Sequence, residues 1–109
     1  MGRYGDKSFS VSGTLEAVPQ LETLQSGVEM AKFVLVVVER NPNTKEETTS
    51  YVPITAFKFD AKGISNPKYV KAGQFFTVKG SIRSREYTDK NGNEQLAIEL
   101  VAGKIMTGG

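Results

Sequence analysis

A chain of 109 residues is long enough for one domain with an adequate but modest core. Its 39% hydrophobic and 24% charged residues fit a soluble globular protein, and its formal charge of +2 supplies no global basic signature. Cysteine and histidine are both absent, which excludes disulfides, thiol chemistry, cysteine-ligated zinc and every triad or metal centre built on imidazole, so neither catalysis nor a cofactor is expected.

No apolar run approaches the roughly 20 residues that span a bilayer; the longest, FVLVVV at Phe33–Val38, has the length and composition of a strand. The N-terminal MGRYGDKSFS lacks an apolar signal region, and Asp6 stands where a myristoylation motif requires serine or threonine. The expectation is a protein of the cytoplasm with no membrane partner. One domain over residues 1–109 is expected, with short flexible ends at about 1–6 and 106–109.

Taken in chain order, Phe9–Leu15 alternates, with Phe9, Val11 and Leu15 on one face and Ser8, Ser10, Ser12 and Thr14 on the other. That is a half-buried strand, in which Gly13 marks a bulge or bend. Met30–Glu39 is apolar at nearly every position and reads as a central strand covered on both sides. The polar stretch Asn41–Ser50 reads as a loop. Ser50–Phe59 alternates again: Val52, Ile54 and Ala56 face the core, and Tyr51, Thr55 and Phe57 face outward. Pro53 cannot donate to a ladder, which predicts an edge or a bulge there.

Ser65–Gly73 carries helix punctuation: Asn66 as N-cap, Pro67 at the first helical position and Gly73 after the end. This predicts about two turns with Tyr69 or Val70 inward. Gln74–Thr88 is a long strand with Phe76, Val78, Gly80, Ile82 and Ser84 on its small, apolar face. Asn91-Gly92 signals a hairpin, and the chain returns along Gln95–Val101 with Leu96, Ile98 and Leu100 on one side. GKIMTGG reads as a short frayed tail. DKNGNE at Asp89–Glu94 has oxygen ligands without the full spacing of a calcium loop, and is read as a turn. Five strands with one short helix between the third and the fourth predict an all-β fold, a five-stranded Greek-key OB barrel.

The face opposite the core is unusual. The third strand places Tyr51 and Phe57 on it, and the fourth places Lys79, Arg83, Arg85 and Tyr87 on the equivalent face. Rings interleaved with cations suit single-stranded nucleic acid, because bases stack on aromatics for about 1–3 kcal/mol each while cations track phosphate. Arginine can do both. The same pattern would also suit an aromatic face packed under a loop or against a second protein, and a bulge in either strand would turn part of the set inward.

FSVSGTL, FVLVVVE, YVPITAF and above all VKGSIRSREYTDKNG resemble the DNA-binding domain of the bacterial single-stranded DNA-binding protein (SSB) family, over roughly Ser8 to Ile105. The match is most specific where a glycine is followed by R-x-R, an aromatic and T-D-x-x-G. The resemblance implies that Tyr51, Phe57 and Tyr87 stack on bases and that Arg83 and Arg85 hold phosphate or stack. It also implies a homo-oligomer, tetramer or dimer.

Departures are visible. The family's stacking tryptophans are absent, Arg40 is the candidate substitute near the loop after the second strand, and Glu86 falls where a basic residue is common. The chain ends at Gly109 without the disordered tail and acidic tip through which full-length members recruit partners. It therefore reads either as a shortened member or as a tailless relative of the primosomal, phage or plasmid kind.

The expected function is binding of single-stranded DNA (or RNA, which the residues do not separate from it) during replication, recombination, repair or transfer of a mobile element. The expected place is the cytoplasm, in association with the nucleoid, and replication or recombination proteins are the further partners. The alternative is an OB module whose aromatic face packs on a protein of a replication or primosome complex.

Overall fold

The computed structural model describes residues 3–108. Five long strands, one two-residue strand and one helix follow in the order β1 (Ser8–Leu15), β2 (Glu22–Thr23), β3 (Glu29–Arg40), β4 (Glu47–Phe57), α1 (Lys58–Ile64), β5 (Phe75–Thr88) and β6 (Glu94–Thr107). The sheet runs β1-β5-β6-β4-β3-β2, and a further pairing of β1 with β3 brings it back on itself. The five long strands thus form a ring, the Greek-key OB barrel expected from the element order. The joint between β4 and β6 is a single parallel bridge, Thr55↔Val101, so the barrel is open on that side.

Period-two patterning builds the inside. Ala31, Phe33 and Leu35 of β3 pair with Ala56, Ile54 and Val52 of β4, and Leu15, Phe76 and Val78 complete the wall. Burial of the larger of these side chains contributes about 1.5–3 kcal/mol each. Two glycines let strands cross closely. A Cβ at Gly13 would lie 2.5 Å from the Val36 carbonyl oxygen, and one at Gly80 would collide with the Val101 carbonyl. Gly13 is thus a close approach to β3 at the point where β1 begins to pair with it.

Pro53 produces no bulge, since β3 and β4 pair without a break from Met30↔Phe57 to Arg40↔Glu47. The Val34 carbonyl accepts from the Glu16 amide instead, so Val34↔Pro53 is a non-hydrogen-bonded pair and nothing opposite requires a donor at Pro53. The edge half of the expectation holds, because Pro53 flanks the open β4–β6 side. β4 starts at Glu47, inside the stretch read as loop; the loop proper is closed by the Asn41 amide donating to the Glu46 carbonyl (2.8 Å).

The helix lies between the expected strands but in different residues. It occupies Lys58–Ile64, with Ala61 and Ile64 buried under the barrel. Lys58 and Phe59, read as the end of a strand, are its first residues. At Asn66–Val70 the capping signals act over a single turn only: the Asn66 carbonyl accepts from the Tyr69 and Val70 amides, and its side chain accepts from Lys68. Gly73, at φ +87°, then donates to the Leu15 carbonyl, and that bond returns the chain to the barrel before a second turn can form. Val70 is the residue that faces inward.

The C-terminal stretch is strand, not tail. Ile105, Met106 and Thr107 pair with Val78, Thr77 and Phe76. Positions 1, 2 and 109, at the expected flexible ends, lie outside the described residues. β3 is covered on one side only, because Val38 is exposed and Val34 and Val36 are half-buried on the outer face.

Candidate nucleic-acid interface

The outward set on β5 survives the irregularity in its ladder. Lys79 pairs with Lys104 and Gly80 with Ala102, so the extra residue, Gly103, belongs to β6. Alternation along β5 therefore runs unbroken, and Arg83, Arg85 and Tyr87 share a face opposite Glu99, Ala97 and Gln95. Tyr87 is 49% exposed and Tyr51 63%. Tyr51 stands outward on β4 across from Val36, between Pro53 and Thr49, so its ring sits in an apolar strip with Val38 beside it.

The Thr55↔Val101 bridge brings the two strands' outer faces together. Phe57 and Arg83 line one cleft of about 420 Å³ with Lys58, Val101 and Ala102. Arg85 lines a second, of about 180 Å³, with Lys32, Pro53, Thr55 and Glu99. Phe57 is partly buried at the end of β4, where it lines the cleft. Thr55, expected outward, is buried beneath these clefts.

Two of the sequence-derived positions are marginal. Lys79 lies four residues before Arg83, beyond the bulge and between Ser10 and Lys104. Arg40 ends β3 opposite Glu47. Lys32 and Lys58, which line these clefts, were missed. Parity along Met30–Glu39 would have exposed Lys32, whereas Lys58 fell in a segment assigned to the wrong element.

The cations of this surface carry no ion pair, as holds for every described cation except Lys62. Among the described residues the ion pair formed is Lys62 Nζ to Glu29 Oε1 at 3.0 Å. Arg83, across from Glu99, and Arg40, across from Glu47, make no such pair, and Arg85 faces alanine. Their guanidiniums remain open to an anion.

Beyond Ser81 and Val101 the β5–β6 hairpin leaves the barrel as a two-stranded arm. Its tip, Asp89–Asn93, is organised by one carboxylate. Asp89 Oδ1 accepts from the Asn91 and Asn93 amides, both at 2.9 Å, and Oδ2 from Gln95 Nε2 at 3.1 Å. Chiefly the Asn93 amide, with the Gln95 and Asn91 donors, holds the Asp89 carboxyl below its ordinary 3.8. Gly92 takes the positive φ (+83°) that the turn requires. The carboxylate is thus occupied in closing the hairpin, as the turn reading of this segment expects. On the arm's other face Leu96 and Ile98 are exposed, and of the three apolar residues on that side only Leu100 packs on the core.

Lys58 is one of two non-glycine residues with positive φ (57°) among those described, the other being Lys45 in the β3–β4 loop. An L-residue there costs about 1–2 kcal/mol, and at Lys58 the strain lies at the joint of β4 and α1, beside Phe57 and Arg83.

The Single-strand binding protein family matches residues 6–107. Single-stranded DNA-binding protein 1 of Staphylococcus aureus (strain MSSA476) is 34% identical over 94 residues, which is 85% of this chain and 59% of that protein. Single-stranded DNA-binding protein 2 of Staphylococcus aureus (strain Mu50) is 28% identical over 85% of this chain and 65% of its own length. Single-stranded DNA-binding protein 3 of Clostridium acetobutylicum is 29% identical over 85% and 64%. The chain spans about three-fifths of the length of these relatives.

Proposed function

The chain belongs to the single-strand binding protein family, and from that membership we propose that it binds single-stranded DNA without regard to base sequence and without catalysis. Tyr51, Phe57 and Tyr87 take bases by stacking. Arg83 and Arg85 take phosphate or stack, and Lys79 and Arg40 add charge at the margins. The observation that supports this most is the pair of guanidiniums left without carboxylate partners beside exposed rings on one outer face. An ordinary solvated sheet would satisfy Arg83 with Glu99 across the strand.

The setting that fits is replication, recombination, repair or transfer of a mobile element, in the cytoplasm with the nucleoid. Assembly into a homo-oligomer is part of the proposal: β1 meets β3 only at Thr14 and Leu15, leaving its edge over Ser8–Ser12 open to a second copy. Among the described residues no helix is long and apolar enough to cross a membrane.

The test is anisotropy of a labelled oligo-dT of about 35 nucleotides at two salt concentrations, with the matching duplex as competitor. Tight, salt-sensitive binding that the duplex fails to displace is the expected result. No binding at low salt would refute it and assign the Arg83–Tyr87 face to a protein partner.

A further inference from the structure

Helix α1 carries an aromatic that the fold does not use. It packs through Ala61 and Ile64, both buried, whereas Phe59 is 86% exposed. Tyr69, on the following turn, is 76% exposed. One exposed ring is ordinary, but two on successive turns beside clefts that share residues with the interface form a surface a ligand can use.

The clefts around these two rings share lining residues with the interface cleft and with each other. The Phe57–Arg83 cleft shares Lys58 and Val28 with a second of about 300 Å³, which Phe59 and Lys62 also line. That one shares Phe59 with a third of about 330 Å³, which Tyr69 lines. Three hollows therefore run in series from the arm across the β4–α1 joint to the 66–70 turn, each with an aromatic ring in its wall. The positive φ of Lys58 turns the chain at the point where the first hollow meets the second.

We propose that a single strand continues past Phe57 over helix α1, stacking a base on Phe59 and another against Tyr69, with the ammonium groups of Lys58 and Lys62 beside its phosphates. The proposal rests on the reading of the Arg83–Tyr87 face as a DNA-binding surface. Lys62 Nζ is 6.0 Å from the Phe59 ring centroid, so cation and ring already adjoin. Its bond to Glu29 uses one of three donors and leaves the others for phosphate. Asp60 lines the first and third hollows and repels phosphate there, so the strand turns base edges toward it.

The absence of tryptophan makes a direct test available. Phe59→Trp introduces a single indole at an exposed position, and base stacking quenches its emission. Anisotropy of the labelled oligo-dT of about 35 nucleotides reports total binding in the same cuvette. Quenching that saturates together with the anisotropy is the expected result. Binding with unchanged emission would overturn the extended path and leave the DNA-binding reading standing; no binding at all would overturn both.

Phe59→Ala supplies an independent measure. It should weaken the long oligonucleotide by about 5-fold or more, the equivalent of ~1 kcal/mol of stacking, and leave a short one of about 8 nucleotides unaffected. Wild-type affinity for the long oligonucleotide would refute the proposal.

Discussion

Tyr87 is about half exposed and Tyr51 more than half, and both are held by strands whose core contacts lie on the opposite face, so each can be cut back without opening a cavity. Tyr87→Ala and Tyr51→Ala should each weaken oligo-dT binding by ~1–3 kcal/mol while the melting temperature stays within a few degrees. Unfolding in place of weakened binding would mean that the ring is structural. Arg85 faces alanine and has no acid to leave behind, so Arg85→Ala should lower the magnitude of the salt slope by about 0.7 if it meets one phosphate. An unchanged slope removes it from the phosphate set. Lys58 offers a contrast between backbone and charge. Lys58→Gly relieves the left-handed strain, whereas Lys58→Ala keeps it, so the glycine variant should be more stable by about 1 kcal/mol in urea unfolding. If Lys58 touches phosphate, both variants lose the same affinity.

The β5–β6 hairpin is two objects in one. Its first half is barrel wall, paired with β1; its second half is an arm with no third strand and both faces exposed. An isolated pair of strands is marginally stable in water, so the arm depends on its turn, and the turn depends on Asp89. Because the folded pKa of Asp89 is depressed, its contribution is fully present above the ordinary aspartate value of 3.8 and is lost as pH falls through the lower folded value. Amide-exchange protection at Asn91 and Asn93 should therefore persist at mildly acidic pH and disappear as pH falls through that lower folded value. Protection retained in an Asp89→Ala variant would show that the turn closes without the carboxylate. At the other end, Gly80→Ala should destabilise by at least ~2 kcal/mol, since the Cβ would meet the backbone oxygen of Val101 and not a side chain that can move.

For the molecule as a whole, a net charge of only +2 means that affinity must come from placement of charge and not from its total. The chain has no histidine, the side chain whose ordinary value lies near neutrality, so oligo-dT affinity should vary less than about twofold between pH 6 and 8 at fixed salt. A steep change across that range would point to a group outside this surface. The single bridge at Thr55↔Val101 leaves the Arg85–Pro53 cleft open between β4 and β6.

Local pattern was enough for much of this. The alternation of β1, the apolar run of β3 and the long β5 with its outward Arg83, Arg85 and Tyr87 are all legible from parity, because a strand's side-chain period is two whatever it pairs with. The absence of cysteine and histidine excluded most catalysis before any fold was considered. The turn at Asp89–Asn93 was legible for the same local reason. What parity could not supply was context. Asn66, Pro67 and Gly73 are sound capping residues, yet the helix formed one segment earlier, where Ala61 and Ile64 could be buried under the barrel and the Gly73–Leu15 bond ended the second turn. GKIMTGG gives no strong local strand signal, but β5 offered a partner edge as far as Thr107. The meeting of Phe57 with Arg83, and the line of clefts on to Phe59, depend on one parallel bridge between residues 46 apart in sequence. Pairing across that distance is decided by which edges are left unsatisfied when the barrel closes, a property of the whole sheet that no stretch of residues encodes alone.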